Sequence, residues 1–547
     1  MYLPSLNLYM KTTNTIYDFI RNVDKMRVAG IFAFLVLLVS CYMPSMNGFS
    51  DNLILPKWYF FTASIIILLF LDTVFRIRER RIIYKTNDIC WLFALTAFVE
   101  SIIFIYAVFC GYIPLCGLFG TFDNPAGFAC CLSISLPFYF YLFRDTSYSL
   151  FLRSVIAFMA VFVSVAIIVS GSRTGLICVV LVAVLMLPLK HTYRKVFYLI
   201  LLMAIIGLCF YCLNIKQDST SGRFFIFERS LEMIEKHPFI GYGYGGFMKN
   251  YMNFQAEYFR NNPDSVYSML AGEVRHPLNE FLMLWINWGI AGLFFMIAMF
   301  LIPPVYYIRK NRTMDIFVYA LLPVFIFSLF SYPFKYPLPW LVCIIVWVRL
   351  LKEIGGIEKC KVKSVFYGIF ICCLFSAFLC LCNQWSKEYR WSRGIELMGK
   401  RRITRAMNIY DDLYPDMKSN PYFLYNCMAS RFVAGRLEDA ADTYEECRKY
   451  ISGYNAELLG GDIYRASSLF DKAEYHYEQA CRMCPSKFAP LEGLMQTYIS
   501  KGDTVEANRI ADIIIKKDVK ILSYDVSRIK KSASDFISKH EKEFIAK

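Results

Sequence analysis

The hydrophobic positions of this chain are gathered into long unbroken runs, not spaced as stripes. The runs are Val28 to Met43, Trp58 to Phe75, Ile89 to Phe109, Ala126 to Phe143, Ser154 to Val169, Leu176 to Leu189, Val196 to Leu213, Phe281 to Ile308, Ile316 to Phe330, Leu338 to Val348 and Val365 to Cys382. A helix rises 1.5 Å per residue, so about 20 apolar residues cross about 30 Å of hydrocarbon, and most of the runs are long enough. From Arg401 onward the pattern changes to amphipathic helices with short connections. The expected fold is all-α. About eleven transmembrane helices fill residues 1–385, with a large external loop at 214–276, and a helical solenoid fills 386–547.

The solenoid announces itself by period. Ala406, Ala440, Ala473 and Ala507 recur at spacings of 34, 33 and 34, and Tyr410, Tyr444 and Tyr477 follow three of them by four residues. Pro415 and Pro485 come soon afterwards, and Gly435 and Gly502 stand between helices. This is the tetratricopeptide signature, in which a small alanine lets paired helices approach closely. Such an array has a concave face suited to a peptide or protein partner, or it serves as a stabilising module.

Composition agrees: 57% of the residues are hydrophobic and only 19% charged, against about 25% charged in a soluble chain. The net charge of +15 would suit a nucleic-acid binder if it were spread along the chain. It is not. Six segments, at 11–27, 76–88, 144–153, 190–195, 309–315 and 349–363, hold 22 basic and 8 acidic residues, a balance of +14. They occupy every second connection between runs, as cytoplasmic loops do under the positive-inside rule. The N-terminus is therefore expected inside, the 214–276 loop and the repeats outside, and no nucleic-acid partner is needed. That loop holds seven basic and seven acidic residues.

Fifteen of the nineteen cysteines lie in or beside the runs, where cysteine is a small apolar filler. Cys110 and Cys116 share one external connection and could pair in an oxidising compartment. Cys481 and Cys484 form a CxxC without a second pair, so no zinc or redox site is expected there.

Three external stretches concentrate chemistry. Ser170-Gly171-Ser172-Arg173-Thr174-Gly175 places an arginine beside hydrocarbon, where a cation is expensive unless it faces a cavity or partner. The second runs from Arg223 to Gly241-Tyr242-Gly243-Tyr244-Gly245-Gly246-Phe247, whose glycine turns could aim N–H groups at an anion or simply turn tightly. In the third, Arg275-His276-Pro277-Leu278-Asn279-Glu280 sets a titratable histidine beside an arginine, an asparagine and a glutamate, directly before a long apolar helix carrying Gly289-Ile290-Ala291-Gly292.

In this order, together with Gly120-Thr121-Phe122-Asp123-Asn124-Pro125, these stretches resemble the O-antigen ligase and polymerase superfamily over about Gly117 to Leu351. The separation of His276 from Asn279 by Pro277 and Leu278 departs from the family pattern. The resemblance implies a C-type glycosyltransferase fold in the bacterial inner membrane, with the repeats periplasmic. It also implies a metal-independent inverting transferase, without a cofactor, that moves a glycan from undecaprenyl diphosphate to a glycolipid (lipid A core) or protein hydroxyl. On that reading His276 and Arg173 are catalytic, while Arg223, Arg275, Asn279, Glu280, Asn124, Gly241, Gly243 and Lys335 contact the diphosphate or glycan. A repeat-unit polymerase and a protein O-oligosaccharyltransferase share these motifs. A transporter or scaffold recruiting partners through the repeats is the non-enzymatic alternative; it would need buried charges along the spans, for which Glu100 and Asp72 are the candidates.

Overall fold

The computed structural model describes residues 25–78, 83–111, 119–186, 217–355 and 364–545. The Val196 to Leu213 run, the basic residues at 190–195 and Cys116 lie outside them. The described residues are helical, with one isolated bridge between Phe119 and Phe122. In order the helices are α1 (Lys25–Cys41), α2 (Leu55–Ile77), α3 (Thr86–Phe109), α4 (Pro125–Ser133), α5 (Leu136–Arg144), α6 (Leu150–Val169), α7 (Arg173–Met186), α8 (Gln217–Lys236), α9 (Gly246–Asn261), α10 (Glu280–Arg309), α11 (Ile316–Phe330) and α12 (Pro337–Gly355). The array follows with α13 (Ser364–Gly399), α14 (Ile403–Met417), α15 (Pro421–Val433), α16 (Leu437–Arg448), α17 (Tyr454–Ala466), α18 (Phe470–Met483), α19 (Ala489–Lys501), α20 (Thr504–Lys516) and α21 (Tyr524–Ile545).

Among the described residues six stretches are long and apolar enough to cross a membrane: α2, α3, α4 with α5, α6, α10 and α13; α7 and α11 are apolar but shorter. The domain boundary expected at residue 385 falls within the single helix α13. The chain divides into two compact units. One comprises Met1–Leu189, Phe300–Phe327 and Pro333–Glu388, and the other Lys190–Met299, Ser328–Tyr332 and Tyr389–Lys547.

In the first unit, Phe93 of α3 stacks on Phe138 of α5 at 4.5 Å, and Phe317 of α11 lies 5.2 Å from Phe138. Glu100 and Lys57 are buried charges in it. Glu100 accepts the Thr121 N–H at 2.7 Å, and Lys57, which sequence reading overlooked, donates to the Met43 carbonyl and lies 5.0 Å over the Phe122 ring. Both tie down connections between helices, which answers the high cost of an unpaired charge beside hydrocarbon.

In the second unit, the recurring alanines and tyrosines are buried as the period requires. Each tyrosine ring lies flat on a glycine of a neighbouring helix: a Cβ would stand 3.4 Å from Tyr410 at Gly394, 2.5 Å from Tyr444 at Gly460, and 2.4 Å from Tyr477 at Gly493. The turns inside the helix pairs carry positive φ at Arg401, Gly435, Ser468 and Gly502, on the same spacing as the alanines. The tetratricopeptide array is thus regular even at two turns where glycine is missing.

The segment before α10 packs on this array through α9. Phe247, Tyr251, Met252 and Ala256 form one core with Tyr454, Ala480, Met483 and Cys484. Gln255 donates to the Met483 carbonyl at 2.6 Å, and Ser452 donates to the Met248 carbonyl at 3.1 Å. Cys484 of the CxxC is therefore a packing residue, and the array holds a helix of its own chain.

Candidate active site

The site begins with a break in α10. Gly289 has φ 62° and ψ −156°, a conformation open essentially to glycine alone. The break strands the carbonyls of Ile286 and Asn287, and the Gly241–Phe247 loop satisfies them: Tyr242 N–H donates to Ile286 O and Gly243 N–H to Asn287 O, both at 2.8 Å. Asn287 Oδ1 accepts the Phe247 N–H at 3.0 Å, and Trp285 Nε1 donates to Pro238 O at 3.0 Å. The approach is so close that a Cβ at Gly289 would stand 2.0 Å from Phe239 O, and one at Gly241 would stand 2.6 Å from Gly289 N. Unsatisfied backbone is not tolerated at membrane depth, so loop and break require each other.

This corrects the reading of Gly241 and Gly243 as anion donors. The Gly241 N–H goes to His237 O at 3.1 Å and the Gly243 N–H to Asn287 O. Both are committed within the chain, and their glycine character serves a backbone clamp.

The clamp fixes the start of α10, where the titratable groups gather. Asn279 caps the helix, its Oδ1 accepting the Leu282 N–H at 3.0 Å while its Nδ2 donates to Leu329 O at 3.1 Å. Arg223 of α8 donates through Nη1 to Phe330 O at 2.9 Å. A cation and an amide donor thus meet at the C-terminal end of α11, where the helix dipole is negative. The next residue but one, Tyr332, places its ring 5.2 Å from that of His276.

His276 Nδ1 accepts the Leu278 N–H at 2.9 Å, so the proton of the neutral ring belongs on Nε2, which lies 3.5 Å from Glu280 Oε2. Glu280 is nearly buried. The turn that sets this tautomer is strained: Leu278 has φ 56°, unusual for a bulky residue. Nothing in the residue types of His276-Pro277-Leu278 signals that strain beyond the departure from the family spacing. Arg275 points elsewhere, pairing with Glu273 at 3.1 Å and lying 5.2 Å from the Tyr422 ring of the array. Burial would lower its pKa, but the Glu273 charge outweighs this and raises it above the usual arginine value.

The remaining candidates belong to the first unit. Arg173 opens α7, half-buried, after a turn in which Gly171 has φ 71° and Ser172 Oγ accepts the Gly175 N–H at 3.2 Å. Asn124 caps α4, accepting the Gly127 N–H at 2.7 Å and donating to Tyr336 Oη at 2.6 Å. Lys335 pairs with Asp123 at 2.6 Å, and Tyr336 also donates to Asp123. Burial pushes the Asp123 carboxyl up, but the hydrogen bonds from Lys335 and Tyr336 and the lysine charge win and hold it below the ordinary aspartate value. Asn124 and Lys335 thus belong to one network with Asp123 and Tyr336. Among the described residues no group of three or more His, Cys, Asp or Glu could hold a metal ion.

Fold and site together define a polytopic all-α membrane protein with a tetratricopeptide array, in which a cation and a His–carboxylate pair meet beside a broken apolar helix. Within that class, residues 158–297 match the family model described as O-Antigen ligase, a match that supports glycan transfer of the ligase or polymerase type. The matched residues enclose Arg173, Arg223, His276, Asn279 and Glu280, while Asn124 and Lys335 fall outside. No curated protein matches the chain. Among solved structures, the crystal structure of yeast Tom70 is similar at a TM-score of 0.22 with 11% identity, covering 74% of this chain and 96% of that one. The repeat assignment rests on the helix pairs themselves.

Proposed function

We propose that the chain transfers a glycan from undecaprenyl diphosphate to an acceptor hydroxyl on the periplasmic face of the bacterial inner membrane, as a metal-independent inverting transferase. The observation that carries this reading is the convergence of Arg223, Asn279 and the His276–Glu280 pair on the C-terminal end of α11.

In the reaction, the acceptor oxygen forms a bond to the anomeric carbon as the bond to the diphosphate oxygen breaks. The acceptor proton must go to a base, and the leaving group departs as undecaprenyl diphosphate. With Nδ1 of His276 engaged by Leu278 N–H, the proton falls to the Glu280 carboxylate, whose Oε2 lies 3.5 Å from His276 Nε2. His276, keeping its Nε2 proton on the side of that carboxylate, orients it. Arg223 is the cation for the charge on the departing diphosphate, and Arg173, also within the matched residues, is proposed as a separate catalytic cation. Each such preorganised donor is worth roughly 10² to 10³ in rate.

The array's hold on α9 gives it work within its own chain, so it does not by itself favour a protein acceptor over a glycolipid. The test in cells is to replace His276→Ala and Arg173→Ala separately. Loss of one outer-membrane glycoconjugate with accumulation of its lipid-linked donor is the expected result. Unchanged lipopolysaccharide, capsule and glycoproteins would sink the proposal.

A further inference from the structure

We infer that Phe239 and Ile240 form a wedge seated in the outer bilayer boundary, making the Pro238–Gly246 loop a lipid-docking element and not a purely aqueous one. Past the break at Gly289, α10 continues from Ile290 to Arg309, and at 1.5 Å per residue that segment alone is about 30 Å long, enough for one crossing. It ends at Arg309, Lys310 and Arg312, so its other end, Ile290, marks the opposite hydrocarbon edge.

Phe239 and Ile240 are fixed at that edge by backbone contact, since a Cβ at Gly289 would meet Phe239 O at 2.0 Å and Ile240 N at 2.6 Å. Their side chains nevertheless remain 73% and 84% exposed. They also adjoin an apolar stripe: past the break, Phe294, Leu301, Val305 and Ile308 are all exposed at helical spacing along α10. Trp288, 51% exposed, is the aromatic residue that belongs at such a boundary. The ligand is therefore the headgroup and upper acyl region of the bilayer.

The wedge has a mechanical consequence. The same loop that enters the lipid satisfies the α10 carbonyls at Ile286 and Asn287, so lipid contact and the geometry of the His276–Glu280 turn are connected through the first turns of one helix, from Glu280 to Asn287.

The experiment uses the full chain in nanodiscs of phosphatidylethanolamine and phosphatidylglycerol, with benzoylphenylalanine introduced singly at Phe239, Ile240 and, for comparison, Leu522, an exposed apolar residue of the array. After irradiation, lipid adducts are counted by mass spectrometry. Adducts at 239 and 240 at least fivefold above those at 522 are expected. Adducts no more frequent than at 522, or crosslinks to protein alone, would overturn the inference. The readout needs no glycan transfer, so it stands or falls separately from the proposed activity.

Discussion

At the scale of single residues, the sequence shows residue types but not the backbone each must adopt. The intra-pair turns of the array illustrate this. Gly435 and Gly502 are legible as turns because glycine is the default at positive φ, whereas Arg401 and Ser468 adopt φ 56° and 59° at the equivalent positions and leave no mark in the sequence. Ser468 is exposed, so Ser468→Gly removes the left-handed penalty without losing packing. Allowing for glycine's greater unfolded entropy, the variant should gain about 0.5 to 1 kcal/mol, seen as a higher Tm of the full chain. A lower Tm would contradict this account of the turn. His276 and Glu280 were likewise legible as a titratable pair, but which nitrogen carries the proton was not, because that depends on the Leu278 N–H.

Asp123 gives a pH-dependent expectation at the same scale. Its carboxyl is held below the ordinary value by Lys335 and Tyr336 against the effect of burial. A depressed carboxyl stabilises the fold fully above its unfolded pKa, about 3.9, and that contribution is lost as pH falls through the lower folded value. The stability difference between the parent chain and Asp123→Asn should therefore be largest near neutral pH and shrink below about pH 4. A difference that is constant with pH would show that the Lys335 pairing is not its source.

At the scale of elements, unbroken apolar runs marked the apolar helices and periodicity marked the repeats, because both burial patterns are written in side-chain polarity. The runs missed the break in α10, since an apolar run reads the same whether or not its backbone is continuous. Gly289 and Gly292 were visible, but their reason was not: a Cβ at Gly289 meets Phe239 O at 2.0 Å and one at Gly292 meets Leu284 O at 2.3 Å. These are contacts between backbone segments, which no side-chain pattern encodes. Gly289→Ala should release the Pro238–Gly246 loop while leaving α10 inserted. Since displacement of reacting groups by about 1 Å can cost 10²-fold, activity should fall by at least that factor, with new protease cleavage in the loop. An active, protease-resistant Gly289→Ala protein would remove the clamp from the account.

At the scale of the whole molecule, charge pattern and tertiary pairing agree within the first unit. Arg27 pairs with Asp88 at 2.6 Å, Arg349 with Asp315 at 2.6 Å and Arg312 with Glu353 at 3.3 Å, joining segments that the positive-inside pattern puts on one side. Ser50 donates to Glu388 at 2.8 Å and Lys335 pairs with Asp123 at 2.6 Å, joining segments it puts on the other. The +15 that would have suggested nucleic acid is a pattern of sidedness, and the cations with a chemical part to play are few. The array was legible as a repeat, but its grip on α9 was not, because α9 lies more than 150 residues earlier in the chain. That grip braces the loop carrying Arg223 and the His276 turn.

The central claim is that these groups move a glycan off a lipid diphosphate. The direct measurement is single-turnover transfer by the purified full chain in lipid, supplied with undecaprenyl diphosphate-linked glycan and candidate glycolipid and protein acceptors. The account predicts release of undecaprenyl diphosphate together with a glycosylated acceptor, slowed roughly 10²- to 10³-fold in Arg223→Ala and in Glu280→Gln proteins that retain the parent Tm. Transfer at the parent rate by both variants, or no transfer to any acceptor by the parent chain, would contradict it.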